Sequence, residues 1–103
     1  MNLKQTIQNF IEGIDWISPK EPAELLMKAY TYKAQLKNRI FEIELQNIDP
    51  TSRTALEKQQ MQIAKENEEY RQLQTELELI NAGIKALETY LKVYEINQKE
   101  DIR

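Results

Sequence analysis

The chain has 103 residues, room for one small domain, and its 41% hydrophobic and 30% charged content is too apolar for a disordered polymer. It contains no Cys and no His, which excludes disulfides, thiol chemistry, Ser/His/Asp and Cys/His nucleophiles and His-ligated zinc. A net charge of −3 and two isolated glycines exclude a bulk-basic nucleic-acid domain and a phosphate-cradling glycine loop.

The first predicted element is a short amphipathic helix over about 2–13. Leu3, Ile7, Phe10, Ile11 and Ile14 fall at helical spacing, with Lys4, Gln5, Gln8, Asn9 and Glu12 on the other side. Gly13 weakens it, by about 1 kcal/mol relative to Ala. A linker over about 14–21 follows. It holds Ser18-Pro19-Lys20-Glu21, a capping-box pattern that Pro22 disturbs by pushing Glu21 out of the α region. The opening residues show no apolar signal-peptide core, and no run reaches about 18 apolar residues, so neither secretion nor a membrane span is expected. A membrane-surface role for the first helix is disfavoured too: only Lys4 offers a cation, against Glu12 and Asp15. The expected location is the cytoplasm. Richness in Ile, Asn, Gln and Lys points to a bacterial or viral source.

A second helix is predicted over about 22–48, then a tight turn over about 49–51, where Asp49 and Pro50 suit a helix start. Thr54-Ala55-Leu56-Glu57 is a further start signal. A long helix is predicted over about 52–97, with a frayed tail at 98–103. Leu56, Ile63, Tyr70, Leu77, Ile84 and Leu91 recur there every seven residues, with Gln59, Glu66, Leu73, Ile80, Leu87 and Tyr94 between them. Such a heptad pattern belongs to a helix that wraps along another helix.

The expected fold is therefore all-α: a long antiparallel helical hairpin, coiled-coil-like, with a short N-terminal helix, completed by self-association. The second helix has its own seam: Leu26, Ala29, Lys33, Leu36, Ile40 and Ile43. In an antiparallel pair the residue numbers in each layer sum to a constant. A sum of 99 sets Ile43 on Leu56, Ile40 on Gln59, Leu36 on Ile63, Lys33 on Glu66, Ala29 on Tyr70 and Leu26 on Leu73. The smallest seam residue then meets the bulkiest, and the one basic residue meets the acidic one. The first helix is expected to continue the direction of the second, setting Leu3, Ile7, Phe10/Ile11 and Ile14 along Leu91, Leu87, Ile84 and Ile80, with Trp16 and Ile17 closing the corner.

Two further apolar stripes fit no intramolecular partner. One is Leu79, Ala82, Ala86, Tyr90 and Val93; the other is Met27, Tyr30, Ala34, Phe41, Leu45 and Ile48. They are the expected surface for a second copy or another protein. Glu66, Glu68, Glu69, Glu76 and Glu78 read as a solvated helix face rather than Mg²⁺ ligands, so no metal or cofactor is expected, and Gly83 reads as a tolerated surface glycine, with a close helix approach or a kink as the alternative. The acid-free segment 28–39, with Lys28, Lys33, Lys37 and Arg39 around Tyr30 and Tyr32, offers a basic stripe for nucleic acid as the alternative. From Asp49 onward eleven acids against eight bases argue the other way. The reading that results is a non-enzymatic helical interaction protein, an adaptor, assembly factor or inhibitor that partners itself and another protein.

Overall fold

The computed structural model describes residues 3–16 and 18–101, with the side chains of the last helix described through Tyr94. Ile17, assigned above to the corner, and the last two residues of the tail lie outside the described residues. All regular structure among the described residues is helical: α1 (Leu3–Glu12), α2 (Pro22–Asn47), α3 (Leu56–Glu66) and α4 (Glu68–Asp101). Helix α4 thus runs on into the tail expected to fray. The molecule is a narrow slab of 62 × 31 × 17 Å.

Helix α1 ends where Gly13 donates to the Asn9 carbonyl at 3.0 Å. The linker then turns the chain back. Ser18 N–H donates to Asp15 Oδ1, and Glu21 takes the left-handed conformation, φ 52° and ψ 56°, immediately before Pro22. That conformation is uncommon for a residue with a Cβ. Pro22 occupies the first turn of α2, where a missing N–H costs nothing. Glu21, rather than Ser18, is the residue that flanks the helix, and its side chain makes no cap hydrogen bond.

This reversal decides the topology. Phe10 meets Tyr32 edge-on, ring centroids 5.0 Å apart. Leu3 and Lys4 border the same depression as Arg39, Leu73 and Glu76, whereas Ile11 and Trp16 lie by Leu79, Ala82 and Ala86. Helix α1 therefore runs antiparallel to α2 and parallel to α4. The expectation that α1 continues α2 and lies along Leu91, Leu87, Ile84 and Ile80 in the reverse sense gives way to a three-helix layer. The physical reason is the turn at Glu21–Pro22, which folds α1 over the α2–α4 groove instead of extending it.

Helix α2 packs chiefly on α4. The two are antiparallel, as Arg39 Nη2 reaches Glu69 Oε1 at 2.6 Å and Tyr30 OH donates to Glu88. These pairs sum to 108 and 118, not 99. The displacement has two sources. First, the connection spans 48–55, longer than the tight turn expected. Asp49 takes Thr51 N–H at 2.9 Å and Thr51 Oγ1 at 2.6 Å, closing a turn rather than capping a helix. Gln59 then clasps the loop, accepting Asp49 N–H and donating to the Thr54 carbonyl. Helix α3 begins only at Leu56, flanked by Ala55 without a side-chain cap.

The second source is a break. The helix expected over 52–97 divides at Asn67, whose backbone is extended at φ −121°, ψ 105°. Both new ends are satisfied. Asn67 Oδ1 accepts Tyr70 N–H at 3.0 Å, capping α4, and Arg71 Nη1 donates to the Ala64 and Lys65 carbonyls, capping α3. Orphan backbone groups at a helix end must find such partners.

The core is one cluster: Ile7 from α1, Ala29, Leu36, Ile40 and Ile43 from α2, Ile63 from α3, and Tyr70, Leu73, Ile80 and Ile84 from α4, with Leu87 also buried. Leu3, Phe10, Ile11, Leu26, Tyr32 and Leu77 pack around it. Leu56, assigned to the seam, is instead exposed, at the first position of α3.

Candidate interaction surfaces

The charged pair expected at the centre of the seam does not form. Glu66 is exposed and accepts from Gln62 on its own helix, and no ion pair joins it to Lys33 among the described residues. The ion pair between the long helices is Arg39 with Glu69, reinforced along α2 by Arg39 with Glu42 at 3.0 Å. Both carboxylates hold the Arg39 guanidinium above its ordinary pKa, Glu69 more strongly.

Arg39 of the basic stripe is thus paired with two carboxylates, while Lys28 lies exposed 3.9 Å from Glu24. At about 100° per residue, Lys28 and Arg39 lie on one side of α2 and Lys33 and Lys37 on the other. The fold does not bring the four cations together as a phosphate-tracking row.

Glu76 departs furthest from its reading as a solvated carboxylate. It is only 5% exposed, and neither carboxylate oxygen has a hydrogen-bond partner. Burial pushes its pKa up, and Lys4 partly opposes that. It lies beneath α1, beside Leu3, Lys4, Gln72 and Leu73. The heptad positions could not show this, because Glu76 is buried by α1, not by α2. The Tyr70 hydroxyl is likewise buried without a partner, and desolvation raises its pKa, with Glu44 adding to the rise. No group of three or more His, Cys, Asp or Glu side chains able to hold a metal ion occurs among the described residues.

The apolar positions outside the seam separate into two surfaces. The first is on α4, where Leu79, Ala82, Ala86 and Val93 are exposed and Tyr90 is half-buried. Trp16 joins them. Together with Ile11 and Gly83 it borders an open apolar groove of about 280 Å³. Gly83 is what seats the indole, since a Cβ there would come within 2.8 Å of Trp16 Cη2. The glycine read as merely tolerated thus permits a close approach.

The second surface is on α2. Met27 is 72% exposed, Phe41 61% and Leu45 65%, and Tyr30, at the edge of this row toward α4, is 46% exposed. Ile48 extends the row but is half-buried against the core. Tyr30 is anchored by its hydroxyl, which donates to Glu88 and is held above its ordinary pKa by that bond first and by burial second. Leu56 and Met61 on α3 are also exposed.

No helix among the described residues is long and apolar enough to cross a membrane. No protein-family model, no curated protein and no solved structure matches the chain.

Proposed function

We propose that the chain is a non-enzymatic helical interaction protein that acts as a homo-oligomer in the cytoplasm and serves a larger complex as adaptor, assembly factor or inhibitor. One observation carries the reading: two exposed apolar rows, on α2 and on α4 beside Trp16, that the fold leaves on different sides. Scattered exposed apolar residues are ordinary; rows at helical spacing are the mark of a surface that meets another helix. Two such rows suit a protein that meets its own copy on one face and a partner on the other. The antiparallel run of α2 and α4 and the heptads of α4 support a coiled-coil-like hairpin as the frame that holds them apart.

Light scattering on the purified chain tests the first half of this reading. A species of twice the chain mass or more at micromolar concentration is expected, and a monomer overturns it. Co-purification from the native host tests the second half. A partner that is retained by the wild type and lost on Leu79→Glu with Val93→Glu is expected.

A further inference from the structure

We propose that α1 is a pH-sensitive strap: it closes over Glu76 while that carboxyl is protonated, and ionisation of Glu76 favours its release from α2 and α4 with the other helices left folded. The device belongs to the single chain and works whether or not copies associate.

Helix α1 has only 10 residues, stops at Gly13, and carries no acid in its first turn and no base in its last. Helices under about 12–15 residues are marginal alone in water, so its order comes from docking. The anchors are few. Ile7 is fully buried, Phe10 meets Tyr32 edge-on, and Leu3 and Ile11 are half-buried at the border of the core. A short element with few buried contacts opens at a lower free energy than the body it covers.

Two features oppose closure. The first is Glu76, only 5% exposed beneath α1, with no hydrogen-bond partner for either carboxylate oxygen. It lies between two depressions that α1 borders, with Leu3 and Lys4 on one and Lys4, Gln8 and Ile11 on the other. The second is the hinge. Glu21 is left-handed at φ 52° directly before Pro22, a conformation that its own Cβ and the following proline both disfavour. A backbone so placed persists only while surrounding contacts hold it. Release of α1 relieves both: the carboxylate reaches water, and Glu21 is free to return to extended geometry.

The charges around Glu76 leave it uncompensated. On α2, Arg39 is engaged by Glu42 and Glu69. On α4, Glu69 is of like sign, and Arg71 donates to the Ala64 and Lys65 carbonyls. Among the described residues, no charged side chain of α3 borders either depression. That leaves Lys4, which sits on the strap and departs with it. Burial holds the Glu76 carboxyl above its ordinary pKa, and Lys4 opposes that in part. Below the ordinary value of 4.5 the acid is neutral whether α1 is closed or open, and the hold is full. As pH rises through the raised value of the closed state, closure becomes costlier and the open form gains population.

Hydrogen exchange read by mass spectrometry tests this on the full chain at pH 5 and pH 8, with rates corrected for intrinsic exchange. In the wild type, protection over 3–12 is expected to fall several-fold more between the two pH values than protection over 33–43 of α2. In Glu76→Gln, which keeps the shape and removes the charge, that extra fall is expected to vanish. Glu76→Met serves as a second variant, and circular dichroism confirms that each keeps its helicity. The single tryptophan, Trp16, lies over Gly83 just beyond α1. Its emission is expected to move to longer wavelength from pH 5 to pH 8 in the wild type and not in the variants. Equal changes in the two segments, or none, overturn the strap. An extra fall over 3–12 that persists in both variants overturns the role of Glu76.

Discussion

Trp16 lies against the place where Gly83 has no side chain: the indole Cη2 would be 2.8 Å from a Cβ at that position. The contact joins the linker after α1 to the middle of α4. It also couples two opposing effects, because Gly to Ala inside a helix gains about 1 kcal/mol. In a Trp16→Ala background, Gly83→Ala should therefore stabilise by about that amount. In the wild type the gain should shrink or vanish, because the indole must move, and its fluorescence should shift to longer wavelength. Equal gains in both backgrounds, read from denaturant melts, would mean that the ring does not occupy that space.

A second outcome concerns pH. Glu76 is buried without a hydrogen-bond partner, and its folded-state pKa lies above its ordinary value of 4.5. The neutral acid is thus the form that suits the fold. Its penalty is absent below the unfolded pKa and grows as pH rises through the raised folded value. The charges around it are Lys4 on α1, Arg39 on α2 and Glu69 on α4. Glu76→Met should raise stability at pH 7 to 8 by about 1–3 kcal/mol, the usual cost of a buried unpaired polar group. The gain should diminish toward pH 4. Melts at the two pH values distinguish this from a gain that is independent of pH, which would mean the carboxylate was already solvated or paired.

The register gives a third test, in which two pairs are compared. Arg39→Glu should lower the melting temperature slightly, and adding Glu69→Arg should recover part of the loss, as exposed pairs of this kind do. Lys33→Glu with Glu66→Lys should show no coupling. Recovery in the second pair and not the first would restore the shorter turn and the register summing to 99.

A fourth concerns Asn67. Replacing it by Ala removes the bond to Tyr70 N–H and should cost about 1 kcal/mol, the typical loss for a helix cap. Arg71→Ala should do comparable harm from the other side, by freeing the Ala64 and Lys65 carbonyls. If Asn67→Ala instead stabilises and lengthens the particle in small-angle scattering, the two helices fuse into the single rod that the heptads suggest.

The heptad positions of α4 were readable because burial there follows period: Tyr70, Leu73, Ile80, Ile84 and Leu87 are all buried. The core face of α2 was readable for the same reason. The register was not, because it depends on the connection, and the choice between helix starts at Asp49, Thr54 and Leu56 turned on which loop carbonyls Gln59 would clasp. The break at Asn67 did leave a signal, an Asn followed by Glu68 and Glu69, a cap with acids in the first turn. An unbroken heptad on both sides concealed it. The direction of α1 had no such signal. It hangs on the backbone of Glu21, where the rule for a residue before proline favours extended geometry and the chain takes the left-handed one.

The interruption between α3 and α4 also partitions the chain by its tolerance of length changes. Because Asn67 and Arg71 close off both helix ends at the joint, the winding of α4 does not continue that of α3. One residue inserted beside Asn67 lengthens a joint and leaves the azimuth of every side chain on α4 as it was. The same insertion a few turns later, between Gly83 and Ala86, rotates everything beyond it by about 100° and carries Leu87 out of the core. A scan of single-residue insertions along residues 60–90 should therefore find one permissive position in an otherwise intolerant stretch.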